Sequence, residues 1–530
     1  MTTFYIQQFG CRATQADGAA LERQLLDRGC TQAPDPATAS IVVLNTCTVT
    51  AAADAQARDA IRKLHAQNPQ ARLIVTGCYA QRAPEELASL PGVTHVVGNS
   101  HKPQIPNLVK SIDSVGAGLA PPAAPAAFTN FVSTATLLPD SQDAPFHSFV
   151  GAQHVAPHLG KVPHFAGDSL HPTQILTGDI FAHPEFLSAP IQGGESHHTR
   201  PILKIQDGCN NRCSFCIIPY VRGKSRSLPP DAVIREIQSL ASPNASASPV
   251  GQPIPAVSSS VAQPILAVHS AAREIVLIGI NLGTYGRDLS PRVEFIDLLR
   301  RILDETSIER LRISSIEPQD VTQDLIDLFA STDRIAQHFH IPLQSASDPI
   351  LAAMHRWYRT EHYARRVDLI RDRLPNAAIG ADVIAGFPGE TESDHAATLD
   401  FIDRHPFTYL HVFSYSPRPG TKAATMPNQV PAPTIKRRAR ELRALADQKS
   451  AAFRRTQIGS TLRVLTLHRD DHSINEQTGA EYTPALSSNY LRVNVPGIFE
   501  ANQWLNATLS GEKNGCLSAR MVSDYQNANC

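Results

Sequence analysis

The chain has 530 residues, 42% of them hydrophobic, and a formal net charge of −1, so it can bury sizeable cores and has no overall basic charge to draw it to nucleic acid. No apolar run reaches transmembrane length, and the opening MTTFYIQQFGCRATQADG lacks the basic and apolar regions of a signal peptide, which together predict a cytoplasmic protein with no membrane partner. Nine cysteines in a compartment that keeps thiols reduced argue for metal ligation over disulfides.

Residues 1–100 read as alternating strands and helices. Strands are predicted over Thr3–Phe9, Ala39–Leu44, Arg72–Thr76 and Thr94–Val97, with helices over Gly18–Arg28, Ala53–Gln67 and Glu85–Leu90. This order implies a small doubly wound parallel sheet. Cys11 follows the first strand, Cys47 the second and Cys78 the third. Open parallel sheets bind ligands outside the carboxyl ends of their strands, so three thiols delivered there converge by topology. They form either a three-thiolate cluster site or three buried structural cysteines. Cys30, beyond a helix end, does not fit the pattern and reads as structural.

Residues 111–195 change character. Pro and Ala dominate, His is frequent, and no period of 3.6 or 2 is sustained, which predicts a poorly ordered connector. The irregular histidines read as part of a solvated linker rather than a metal tract.

The run DGCNNRCSFC then places Cys209, Cys213 and Cys216 at C-x3-C-x2-C. A structural zinc site wants four protein ligands, and no fourth Cys or His stands nearby, so a zinc knuckle would need a distant one. Three thiolates on a four-iron, four-sulfur cube instead leave one iron open to a small molecule. Phe215 is placed to cover such a cluster. The following IIPYVRGKSRS carries Arg222, Lys224 and Arg226.

Past a helix over Pro230–Leu240, residues 241–272 hold no Asp, Glu, Lys or Arg and read as a flexible insertion. The βα rhythm then resumes. With Ile202–Gln206, strands over Glu274–Ile280, Arg310–Ile316, His338–Ile341, Ala378–Ile384 and Tyr409–Phe413 make about six βα units, a partial barrel with polar and Gly-rich motifs at each strand's C-terminal end. Thr434–Arg455 is one long basic helix, either a solvated face or a phosphate contact. From Gly459 the period becomes two over Thr461–Leu467, Asn489–Val495 and Leu517–Met521, predicting a small β-barrel. Tyr490, Arg492 and Arg463 are its candidate nucleic-acid contacts, the alternative being a packing domain.

The spacing C-x3-C-x2-C with an aromatic before the third Cys resembles the radical S-adenosylmethionine (SAM) signature. Added to GC at Cys11, NTC at Cys47 and GCYAQ at Cys78, the runs IIPYVRGKSRS, GINLGTYG, ISSIEP, HIPLQSAS, GADVIAGFPGETE and FSYSPRPGT resemble the radical SAM methylthiotransferases. The resemblance covers about 1–100, 198–455 and 459–525. It departs from the family at Ala346, where Gly is usual, and is loose across EYTPALSSNYLRV. It implies an α/β protein: a flavodoxin-like sheet in 1–110, a linker in 111–195, a partial (β/α)6 radical SAM barrel in 196–457 interrupted by 241–272, and a TRAM-like β-barrel in 458–525.

The resemblance also implies chemistry. Cys209, Cys213 and Cys216 would hold the SAM-binding 4Fe-4S cluster, and Cys11, Cys47 and Cys78 a second one that carries the sulfur to be inserted. Asn281 and Glu317, at adjacent strand ends, are the candidate SAM contacts. The substrate implied is tRNA, at the adenosine 3′ of the anticodon, with a reductant such as flavodoxin or ferredoxin. CSFCIIPYVRGKSRS and the pairing of ISSIEP with HIPLQS look most like the branch acting on threonylcarbamoyladenosine. The other branches act on isopentenyladenosine or on a ribosomal-protein aspartate, and an iron–sulfur RNA-binding sensor is the non-enzymatic alternative.

Overall fold

The structure is a computed structural model that describes residues 2–115, 173–183, 187, 189, 191–193, 198–242, 271–469, 481–513 and 515–521. Most of the 111–195 connector and nearly all of the 241–272 insertion lie outside the described residues.

Six strands form the N-terminal sheet: β1 (Thr3–Gln8), β2 (Thr31–Gln32), β3 (Ile41–Thr46), β4 (Arg72–Gly77), β5 (Val93–Gly98) and β6 (Gln174–Leu176). All pair in parallel, in the order β2-β1-β3-β4-β5-β6. That is the flavodoxin-like order with one strand added. Its helices are α1 (Arg12–Leu26), α2 (Ala51–Gln67), α3 (Cys78–Arg82), α4 (Pro84–Ala88) and α5 (Ile105–Val115). The run IVVLNT in β3 is buried throughout because both faces are covered. Ile41 and Val43 pack with α1 and α5, Val42 and Leu44 with α2, α3 and α4.

The strand β6 corrects the expectation for the connector. Gln174–Leu176 pairs with β5, and the Thr173 hydroxyl donates to the Val93 carbonyl at 2.8 Å. Three residues are too few to show a period, and the unpaired edge of β5 supplies the partner.

Strands β7 (Ile191–Gly193), β8 (His198–Lys204), β9 (Gln206–Asp207), β10 (Arg226–Ser227), β11 (Glu274–Ile278), β12 (Arg310–Ile313), β13 (His338–His340), β14 (Ala378–Ala385) and β15 (Tyr409–Ser414) build the middle of the chain. The six parallel strands run β8-β11-β12 and β13-β14-β15, joined across a parallel bridge between Ser315 and His340. Antiparallel β7 borders β8, and β9 pairs antiparallel with β10. Helices α6 (Ile218–Arg222), α7 (Pro230–Ala241), α8 (Phe295–Glu305), α9 (Gln323–Ala330), α10 (Asp348–Ala353), α11 (Thr360–Arg373), α12 (Glu392–Arg404) and α13 (Ala432–Thr456) complete the described α-helices.

The strands of this open barrel alternate with period two. Ile275, Leu277, Leu311, Phe339, Ile379, Ala381 and Val383 enter the core beneath the helices. Glu274, Arg312, His338, His340, Asp382, Tyr409 and His411 take the other face, the lumen. On the open side α1 lays Ala16 and Ala19 against Ile202, Val276 and Ile278, its small residues permitting close approach.

The C-terminal unit is a closed barrel of β16 (Thr461–Thr466), β17 (Tyr482–Ser487), β18 (Arg492–Pro496), β19 (Trp504–Lys513) and β20 (Cys516–Met521), ordered β16-β17-β18-β20-β19. Two of its strands escape period-two reading. Pro484 sits inside β17, and the pairing of β19 with β20 shifts register between Leu509 and Gly511.

The β17–β18 turn stops the amino end of the central barrel. Arg310 donates to Leu486 O at 3.0 Å, and Arg312 to Ser487 O and Ser488 O at 2.9 and 3.0 Å. Glu274 ion-pairs with both arginines, and all three side chains are buried. Tyr490 stacks on His338, ring centroids 4.3 Å apart and 18° from parallel. Tyr490 is therefore a packing residue here, not a ring held out for RNA. Arg463 is exposed, pairs at the surface with Glu309 at 2.7 Å and lies over the Trp504 ring. Arg492 is exposed and makes no ion pair among the described residues.

Candidate active site

The barrel thiols follow β9 directly, at the carboxyl end of the first barrel strand. Cys209 N donates to Gly223 O at 3.1 Å, and Cys216 N to Cys213 O at 3.1 Å. Ser214 fixes the loop to α10, its N bonding to Met354 O at 3.1 Å and its hydroxyl to Ala353 O at 2.8 Å. Phe215 packs edge-on against Phe387 at 6.4 Å, in a cluster with Ile350, Met354 and Tyr415, so its ring anchors the loop. Burial pushes the Cys216 thiol up to about 12, with Cys213 and Cys209 adding to it; burial also raises Cys209. Such thiols stay protonated on their own, and a coordinating cation would reverse that preference by favouring the thiolates. The donor set fits a cluster held by three thiolates with one open position.

Both predicted SAM contacts lie beside these thiols. Asn281 Nδ2 stands 3.9 Å from Cys209 Sγ, while its buried Oδ1 has no hydrogen-bond partner among the described residues. Glu317 ion-pairs with Arg356, whose Nη1 lies 3.5 Å from Cys213 Sγ. Sequence reading missed Arg356. It sits 143 residues beyond Cys213, after α10, in no spacing that signals a site.

Cys11, Cys47 and Cys78 stand at the carboxyl ends of β1, β3 and β4. Gly10 and Gly77, each preceding a Cys, both have φ +105°. A Cβ on Gly10 would lie 2.3 Å from Cys47 Cβ, and one on Gly77 would lie 2.2 Å from Thr46 O. Glycine is thus required to bring these strand ends together. Burial pushes the Cys47 thiol up to about 12, with Cys78 and Cys11 next in effect, and burial also raises Cys78. The three thiols sense one another as the barrel set does, and again fit a metal cluster. Cys30 is half-buried against the face of α1 and α5, away from this set.

The two sets meet. Cys78 packs in one apolar cluster with Ile217 and Val221, residues that continue directly from Cys216. Asn99 joins them, its amide donating to Val221 O at 2.7 Å and lying 3.5 Å from Cys78 Sγ. Beneath the contact lies a buried charge network. Arg222 bonds Asp207 at 3.0 Å and Asp17 at 3.1 Å; Lys204 bonds both carboxylates; Lys102 bonds Asp17 at 2.9 Å. Burial alone would raise the Asp17 carboxyl, but Lys102, Lys204 and Arg222 outweigh it and hold it below the usual carboxylate range. A second buried link joins Asp54 to Arg82 at 3.0 Å and to Arg418, from the last barrel loop.

Below the thiols the lumen is lined by rings. Asp382 bridges His340 Nε2 at 3.0 Å and His411 Nδ1 at 3.3 Å. The Tyr409 hydroxyl lies 2.8 Å from His338 Nε2 and 2.9 Å from His340 Nδ1. The ligand atoms of His340, Asp382 and His411 lie within 4.8 Å of one another, but hydrogen bonding already accounts for the arrangement. The basic helix α13 is largely committed as well. Arg437, Arg438 and Arg454 pair with glutamates, whereas Lys436, Arg440 and Arg455 make no ion pair among the described residues.

The comparisons agree with this architecture. Residues 3–98 match the family described as "Uncharacterized protein family UPF0004", and residues 258–402 match the Radical SAM superfamily, a span that begins after Cys216. A threonylcarbamoyladenosine tRNA methylthiotransferase of Bacillus subtilis is 32% identical over 94% of this chain and 91% of its own length. Its counterpart in Aquifex aeolicus is 30% identical over 88% and 92%. A tRNA-2-methylthio-N(6)-dimethylallyladenosine synthase of Syntrophobacter fumaroxidans is 32% identical over 90% and 87%.

Proposed function

Because the chain belongs to the radical SAM methylthiotransferase family, we propose that it converts N6-threonylcarbamoyladenosine, 3′ of the anticodon in tRNA, to its 2-methylthio derivative. The observation that carries this reading is the meeting of two three-thiol sets across the contact of Cys78 with Ile217 and Val221. Sulfur insertion needs one site to activate the base and another to deliver sulfur, and the packing of Cys78 against the residues that follow Cys216 puts the two sets next to each other. Threonylcarbamoyl as the substituent is supported by the run CSFCIIPYVRGKSRS and by the Bacillus and Aquifex relatives. The Syntrophobacter relative, at equal identity to the Bacillus one, supports the dimethylallyl substituent as the second reading.

Bound in these sites, two 4Fe-4S clusters and SAM supply the one-electron and sulfur-transfer chemistry. Cys209, Cys213 and Cys216 hold one cluster, and Cys11, Cys47 and Cys78 the other. Asn281 offers SAM an amide whose oxygen is otherwise unsatisfied, and Glu317, steadied by Arg356, offers a carboxylate. Tyr490 and the β17–β18 turn keep water from the lower end of the lumen, and α1 does so along its open side. The target base lies in a loop, so it enters from the carboxyl mouth at modest unstacking cost. Electrons come from a reductant such as flavodoxin or ferredoxin in the cytoplasm. Among the described residues no helix is long and apolar enough to cross a membrane.

Mass spectrometry of tRNA nucleosides from cells with and without the gene tests the reading. The methylthio form of threonylcarbamoyladenosine should disappear with the gene. Loss of methylthiolated dimethylallyladenosine instead would select the second reading, and an unchanged nucleoside profile would overturn both.

A further inference from the structure

Residues 354–359 alternate between inside and outside. Met354, Arg356 and Tyr358 are buried, while His355, Trp357 and Arg359 are exposed. The inward side chains lock the segment. Arg356 is held between Glu317 and Cys213 Sγ, and the Tyr358 hydroxyl donates to Pro342 O at 2.8 Å. The backbone of the segment is therefore held beside the barrel thiols, with His355, Trp357 and Arg359 on its solvent side. Trp357 is 78% exposed, more than any other large apolar side chain among the described residues. An indole in water offers a flat apolar face on which a second ring could stack.

Its surroundings indicate what kind of ring. The His355 ring lies with Nδ1 3.3 Å from Arg212 O and accepts from Lys422 Nζ at Nε2, 3.4 Å away. That draws Arg212 and Lys422 to the same rim. Arg212, Arg359 and Lys422 are exposed and make no ion pair among the described residues. Trp and Arg also anchor protein interfaces, but none of these three cations is balanced by a carboxylate among the described residues, which favours an anionic partner. One flat ring among three unneutralised cations instead matches an unpaired nucleotide, with a base to stack and phosphates to neutralise.

We propose that Trp357 is a stacking platform at the mouth of the barrel, holding an unpaired base of the substrate RNA while Arg212, Arg359 and Lys422 hold its backbone. This rests on the reading of tRNA as substrate. The platform would fix the anticodon loop's register so that a neighbouring nucleotide reaches the thiols.

The test measures the affinity of the anaerobically reconstituted full chain for a labelled anticodon stem–loop RNA by fluorescence anisotropy. Iron content and far-UV circular dichroism check that each variant is folded. Trp357→Ala should weaken binding by roughly 5- to 150-fold, the range of one lost base stack, and Trp357→Phe should restore most of it. The slope of log affinity against log salt should stay at its wild-type value in Trp357→Ala and become shallower by about 0.7 in Arg359→Gln. Wild-type affinity in folded Trp357→Ala would overturn the platform and leave the tRNA reading standing. An RNA that fails to bind even the unsubstituted protein would overturn the tRNA reading, and the platform with it.

Discussion

Gly10 passes so close to Cys47 that a methyl group in place of its hydrogen would sit 2.3 Å from the Cys47 Cβ and 2.9 Å from its Sγ. Two neighbouring strand ends of a parallel sheet are pressed together there, the first leading into exposed Cys11 and the second into buried Cys47.

Gly10→Ala should accordingly break the N-terminal thiol set. Its φ of +105° already disfavours a side chain, and the Cβ meets a residue that cannot swing away. Anaerobic reconstitution should yield about eight irons per chain for the unsubstituted protein and about four for the variant. A full complement of iron in Gly10→Ala would mean that this close approach does not shape the site.

Cys47→Ala and Cys213→Ala should separate the two sites. With Cys47 removed, reduced protein should still cleave SAM to 5′-deoxyadenosine yet form no methylthio product on tRNA. With Cys213 removed, both should be lost. Normal methylthiolated tRNA from Cys47→Ala, its barrel cluster shown intact, would make the N-terminal set structural.

Arg222→Met removes the cation between Asp17 and Asp207, side chains nearly closed to solvent. Breaking a buried pair while leaving its carboxylates behind should cost about 3–5 kcal/mol. Chemical denaturation would measure it. Because Arg222 ties α1 to the barrel, limited proteolysis should also begin between the two units. A loss below about 1 kcal/mol would show that Lys204 and Lys102 suffice.

His338 predicts a pH dependence. Burial lowers its pKa well below the ordinary value of about 6.5, and the charges of Arg312, His340 and Arg12 add to that. The folded chain thus resists a proton that the unfolded chain accepts. Stability is unaffected above about pH 6.5 and falls as pH drops below it, by up to about 1.4 kcal/mol per unit, until the folded ring protonates. Equilibrium unfolding across pH 5–7 should show this slope, and His338→Gln should remove its share. An identical slope in the variant would assign the effect to other groups.

The local code of this chain was legible from residues alone where chemistry depends on neighbours in sequence. The spacing of Cys209, Cys213 and Cys216 marks a candidate metal site because a short loop with that spacing can wrap one centre. Strand periodicity put Cys11, Cys47 and Cys78 at matching strand ends because a parallel sheet has only one edge to deliver them to. The six barrel strands announced themselves the same way. What folding alone decided rests on contacts between distant segments. Arg356 reaches Cys213 across 143 residues, and Arg222 reaches Asp17 across 205. Tyr490 looks in sequence like any strand aromatic, but a positive φ of 64° at the β17–β18 turn sends its ring onto His338. Three-residue β6 has no period to read and exists because β5 has an open edge. Sequence spacing carries the chemistry of a short loop; the burial and pairing of charges are set only when separate units pack and exclude water between them.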